Sequence, residues 1–270
     1  VSGTAIVSAV GGSGATAGRD GKGKGKTSIN AGADGVKTVP VSASATGGGA
    51  AAAMHAEQAS HGETASNTVG NGSDTTGLTL TASATGSGSA YGMRANITSS
   101  TATSAASNTA ASAGDITVNA TAASGADFGL EATTGNTVSV GGTATNTVSA
   151  EGAVTVTAGS VSGRSYGINS QHKGSKTDVT AGEALTITAL SGDEDAPAGT
   201  GNSYAVYHQY GQVDISGRTV DLKATSHIGS ANGLVGSSSS ETSTVTAEGK
   251  LAVAAQATSA SGPANGVDYN

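Results

Sequence analysis

Val154-Thr155-Val156-Thr157-Ala158 is followed, after a short segment, by Tyr166-Gly167-Ile168. The first stretch alternates apolar and small polar residues with a period of two, the mark of a strand with one buried face. The same pattern precedes it as Leu78-Thr79-Leu80-Thr81-Ala82 and Ile116-Thr117-Val118-Asn119-Ala120. It follows as Leu185-Thr186-Ile187-Thr188-Ala189, Val220-Asp221-Leu222-Lys223-Ala224 and Leu251-Ala252-Val253-Ala254-Ala255. Earlier copies are Ala5-Ile6-Val7-Ser8-Ala9 and Val39-Pro40-Val41-Ser42-Ala43. The aromatic-Gly-aliphatic tripeptide recurs as Tyr91-Gly92-Met93, Phe128-Gly129-Leu130 and Tyr204-Ala205-Val206, then more weakly as Asn232-Gly233-Leu234 and Asn265-Gly266-Val267. From Tyr91 onward, successive copies stand 37, 38, 38, 28 and 33 residues apart.

A further element completes each unit. Ile29, Val69, Ala110, Val148, Val179, Ile215 and Val245 each precede the alternating stretch, usually with a glycine between. Glycine suits a tight corner because it accepts positive φ without strain. Asn67, Asn108 and Asn146 stand two residues before Val69, Ala110 and Val148. Asparagines stacked at equivalent positions share side-chain amide bonds.

Composition points the same way. Of 270 residues 43 are Gly, while aromatics make up 3% and charged residues 11%, with no Trp or Cys and one Phe. Eight Leu and eight Ile are too few for a conventional core of this length or for a helical bundle. A repeat fold whose coils bury stacked small side chains needs no more. The expected fold is therefore all-β: a right-handed parallel β-helix, a solenoid of about seven coils of three short strands. Residues 1–270 form a single solenoid with repeat units near 38 residues. One coil per unit is favoured over two, because the 28-residue unit still holds all three elements. Longer units then carry excursions at Asn96–Ser107, Gly135–Ala144 and Asp193–Asn202.

Repeats reading Ala-Tyr-Gly, Asn-Thr-Val-Ser-Ala and Val-Thr-Val-Thr-Ala resemble passenger-domain repeats of Gram-negative type V autotransporter adhesins, over essentially the whole chain. That resemblance implies an extended, self-associating surface stalk, extracellular and displayed on a bacterial cell. The chain opens inside a patterned segment, so it is expected to be a piece excised from a longer protein. A net charge of −7 disfavours nucleic acid and anionic membranes as partners. No apolar run reaches the roughly 18 residues of a membrane span.

Candidate chemistry is sparse. Asp20-Gly21-Lys22-Gly23-Lys24-Gly25-Lys26-Thr27 nearly matches a phosphate-binding loop, but the first glycine is replaced by Asp20 and Ser28-Ile29-Asn30 reads as strand. Gly192-Asp193-Glu194-Asp195 lacks the spaced oxygen ligands of a Ca²⁺ loop. His55, His61, His172, His208 and His227 form no zinc-type pairing. A polysaccharide-cleaving solenoid needs paired carboxylates on one face. Asp178 and Asp214 come nearest to that. Sequons at Asn71, Asn96 and Asn119 are chance matches in a Ser/Thr-rich chain. No catalytic residue, cofactor or metal site is expected.

Two surfaces stand out as binding candidates. Tyr204, Tyr207, His208 and Tyr210 form the densest aromatic group, suited to partners or sugars. Thr79, Thr81, Thr117, Thr155, Thr157, Thr186 and Thr188 should form an outward hydroxyl ladder on a flat face. The expected function is a non-catalytic structural and adhesive segment of a bacterial surface protein. Its partners are copies of itself, or glycan or protein on a host or neighbouring cell. The alternatives are a glycan-binding or polysaccharide-degrading β-helix and, on the T-x-T array, an ice-binding solenoid.

Overall fold

The computed structural model describes residues 3–4, 7–11, 15–16, 25–29, 36–46, 48–58, 64–70, 75–98, 104–134, 142–193, 201–237, 242–258 and 262–269. The Asp20–Lys24 and Glu194–Asp195 stretches, Asn71 and His61 lie outside these residues. Regular structure among the described residues is all β, in three parallel sheets.

The alternating stretches build a nine-stranded threonine sheet, with Gly77–Ala84, Asp115–Ala122, Val154–Ser160, Ala184–Ser191 and Thr219–Ser226 at its centre. The tripeptides lie in an eight-stranded aromatic sheet that includes Ala90–Ile97, Asp127–Thr134, Ser165–Gln171 and Ser203–Gln209. The third element forms a seven-stranded asparagine sheet that includes Thr64–Val69, Ala105–Ser112, Thr143–Ala150 and Ser175–Ala181. The chain visits threonine, aromatic and asparagine sheets in turn and then rises one rung. Ile116 pairs with Leu78 on one side and Val154 on the other, so each repeat is one coil. Seven coils carry all three strands, and an eighth carries Leu251–Ala257 and Ala264–Tyr269. The architecture is a right-handed parallel β-helix.

Packing explains the composition. Leu78, Ile116, Val154, Leu185 and Val220 stack as one inward column and are almost fully buried. Leu251 holds the next place in that column but is half-exposed, since among the described residues no strand pairs beyond it. Where the sheets converge, the packing is mostly of alanine methyl groups. Ala82, Ala84, Ala90, Ala120 and Ala122 fill the corner between the threonine and aromatic sheets. Ala95, Ala106, Ala132 and Ala144 fill the next one, with Ile97. Asn67, Asn108 and Asn146 are buried and bonded to one another, as their spacing predicts.

The glycine of the tripeptide serves a different purpose from the corner glycines. Pairing runs from Phe128–Tyr166 to Leu130–Ile168 and skips Gly129 and Gly167. A Cβ on Gly129 would lie 2.3 Å from Val156 Cγ1 and 2.5 Å from the Gly167 carbonyl oxygen. The glycine therefore faces the threonine sheet inside the coil, the ring before it points outward, and the aliphatic residue after it returns to the core. This mid-strand kink, shared in register by the paired strands, reverses the strand's parity.

Candidate functional site

The threonine sheet presents its polar positions outward. Thr79, Thr117, Thr155 and Thr186 occupy one column, and Thr81, Asn119, Thr157 and Thr188 the next. Each is partly exposed, alternating with fully buried core residues. Asp221 and Lys223 continue the two columns on the seventh coil, and Ala252 and Ala254 on the eighth. The third outward column reads Thr121, Gly159, Leu190 and Thr225. Nothing lies within 4 Å of where a Cβ on Gly159 would stand, so the face has a notch there. Leu190, one rung on, is 39% exposed and stands beside it as a knob. Thr121, Val161, Asp193 and His227 help to line this open cavity of about 520 Å³.

A second hydroxyl ladder lies on the asparagine sheet and was not singled out from sequence. Ser66, Ser107 and Thr145 form one column, and Thr68, Thr109 and Thr147 another. The signal was the same period of two, read there only for its buried residues. This ladder ends at Lys176 and Asp178. Lys176 Nζ lies 3.0 Å from Asp178 Oδ1 and 3.4 Å from Asp214 Oδ2. Its bond to Asp178 leads the influences that raise the Lys176 pKa. Gln212 Nε2 and Thr244 Oγ1 each donate to Asp214 at 2.6 Å. The fold thus brings Asp178 and Asp214 onto adjacent coils but engages both through one ammonium, an arrangement that suits surface pairing better than proton transfer.

On the aromatic sheet, Tyr91, Phe128, Tyr166 and Tyr204 stack with ring centroids 5.0 Å apart at each step and interplanar angles of 2°, 4° and 9°. Arg94 caps the stack, its guanidinium carbon 4.4 Å from the Tyr91 ring centroid. Arg94 Nε also donates to Glu131 Oε2 at 2.8 Å, and Asn169 Nδ2 donates to Glu131 Oε1 at 3.4 Å. Burial pushes the Glu131 carboxyl upward, and Arg94 opposes that rise. At the far end, Tyr207 packs edge-on against Tyr166 and Tyr204, at 5.8 and 5.2 Å. The faces of the stacked rings are turned toward each other along the solenoid axis and only edges look outward. That geometry withholds the ring faces a sugar would stack upon.

The four residues grouped on sequence separate in space. Tyr204 and Tyr207 are half-buried within the stack. Tyr204 Oη accepts from Asn202 Nδ2 at 3.0 Å, and Tyr207 Oη donates to Gln209 Oε1 at 3.3 Å. Tyr210 is exposed, at a backbone φ of 60°. His208 is 1% exposed, paired in register with buried Ser170, and burial lowers its imidazole pKa. The period-two alternation turns it inward, so His208 drops out of any surface site.

Among the described residues no group of three or more His, Asp or Glu is placed to hold a metal ion. Compared with protein-family models, with curated proteins and with solved structures, the chain matches none.

Proposed function

We propose that this chain is a non-catalytic structural and adhesive segment of a bacterial surface protein, acting outside the cell through self-association or adhesion. The observation that carries the reading is the outward face of the threonine sheet. Over the third to sixth coils it presents two aligned columns of hydroxyls and one amide, without a charged residue among them. Such a face offers donors and acceptors at each rung, and contacts that are weak singly gain strength by repetition. The aromatic stack supports the rod rather than a sugar site, since its ring faces are already covered.

The test is display of the segment on non-aggregating cells, scored for settling and for binding to a glycan array. Displaying cells should settle while the array stays blank. Cells that remain monodisperse and give a strong glycan signal overturn the reading and move the function to Tyr204, Tyr207 and Tyr210.

A further inference from the structure

Gly159 and Leu190 are paired neighbours in one outward column, a notch and a knob on adjacent rungs. We infer that the threonine face binds a second copy of this chain across a two-fold axis running along the strands between the fifth and sixth coils, with Leu190 of each copy filling the Gly159 notch of the other. This rests on the self-association reading and specifies its interface.

The operator follows from the geometry. Two faces can meet about a two-fold axis lying in the plane between them. An axis along the strands keeps each residue's position along its strand and exchanges the rungs. Placed between the fifth and sixth coils, it sets Gly159 opposite Leu190, Thr155 opposite Thr186 and Thr157 opposite Thr188. Moved half a rung, onto the fifth coil, it would set notch against notch and leave a void. Placed between the sixth and seventh coils, it would drive Leu190 against Thr225. Of these three registers, only the first seats the knob in the notch.

Charge agrees with this register. The seventh coil's Asp221 falls opposite the fourth coil's Thr117, and Lys223 opposite Asn119. A carboxylate meets a hydroxyl donor, an ammonium meets an amide carbonyl, and no like charges are brought together. Four rungs at about 4.8 Å, each contributing about seven residues at 3.3 Å, cover roughly 440 Å² per copy. Stable complexes bury about 800 Å² per partner, so the contact is weak in solution and depends on dense display.

The test is sedimentation equilibrium of the whole chain over a wide concentration range, on wild type, Gly159→Leu, and the swapped double variant Gly159→Leu/Leu190→Gly. Position 159 has an ordinary strand backbone and open space, so the leucine leaves folding intact, as circular dichroism would verify. Gly159→Leu should weaken association at least tenfold. The swap should restore it, because the two-fold axis regenerates a knob opposite a notch. Association unchanged by Gly159→Leu, or not restored by the swap, overturns this interface while leaving self-association standing. Wild-type chain that stays monomeric, on cells that also fail to settle, overturns both.

Discussion

Asn108 Nδ2 donates to Asn146 Oδ1 at 3.0 Å inside the solenoid, and the same amide donates to the Arg94 carbonyl at 2.7 Å. Asn67 repeats both bonds one coil below, to Asn108 Oδ1 and the His55 carbonyl, and Asn146 donates to the Glu131 carbonyl. Each side chain thus ties the aromatic-sheet strand of its own coil, and Asn67 and Asn108 also hold the coil above. Replacing Asn108 by Ala strands two buried amide partners and the Arg94 carbonyl. Unmet buried groups cost about 1–3 kcal/mol each, so a loss of several kcal/mol and a clear fall in Tm are expected.

The ladder stops at Thr177, which pairs in register with Asn146, is fully buried and has an Oγ1 without a hydrogen-bond partner. Thr177→Asn should accept from Asn146 and donate to the Asn169 carbonyl, following the geometry of the coils below. A gain of about 1 kcal/mol, the net worth of a typical hydrogen bond, should raise Tm. An unchanged or lower Tm would show that the fifth coil has no room for the amide.

Asp127 is fully buried between Ala90 and Ser165 in its column. Neither of its oxygens closes a hydrogen bond of normal geometry. Burial pushes its pKa up to about 8, with the Ala122 and Ala90 backbone amides opposing part of the rise. The folded state therefore holds a proton that the unfolded chain releases near pH 4. Stability from this group is greatest below that value and is lost as pH rises toward about 8. Asp127→Ser, the residue found one coil above, should exceed wild type in Tm by a margin that opens between those limits and then levels off. A constant margin across that pH range would refute the assignment.

Much of this molecule is legible in its sequence because one period governs it. The alternation around Leu78, Ile116 and Val154 gives strand, buried face and register together, since a slip by one residue would turn every apolar side chain to solvent. The asparagine ladder is visible as a spacing. His208 and the second hydroxyl ladder are harder to see. His208 sits after the kink that reverses strand parity, so proximity to Tyr207 in sequence misplaces it. Ser107, Thr109, Thr145 and Thr147 look like ordinary strand filler until their columns are seen side by side.

The kink itself can be tested against the open notch in the same coil. Gly167→Ala would place its Cβ 2.4 Å from Ile187 Cγ2 and 2.5 Å from the Ala205 carbonyl oxygen. Strands on both sides fix that backbone, so the clash is expected to cost roughly 1–3 kcal/mol or more. Gly159→Ala meets nothing and should be neutral or slightly stabilising, since alanine reduces the freedom of the unfolded chain. Equal Tm changes for the two variants would contradict the inward placement of the tripeptide glycine.

The last prediction concerns the threonine face in cells. Thr157 and Thr188 pair in register on adjacent coils, and the two-fold contact sets each opposite the other residue of the partner. A chain carrying Thr157→Glu and Thr188→Glu brings carboxylates together at the interface, and one carrying Thr157→Lys and Thr188→Lys brings ammoniums together. Within one chain the new like charges also oppose each other across the strand pair, at a cost of up to about 1 kcal/mol. Both chains should therefore fold, with slightly lower Tm. Cells displaying either chain alone should fail to settle, and a mixture of the two populations should settle, because Glu then faces Lys. Added salt should weaken the mixed aggregate more than the wild-type one, which sets no opposite charges against each other. Settling by either population alone, at the wild-type rate, would remove this face from the adhesive surface. Failure of the mixture to settle, with both variants folded and displayed, would show that the face does not meet its own kind.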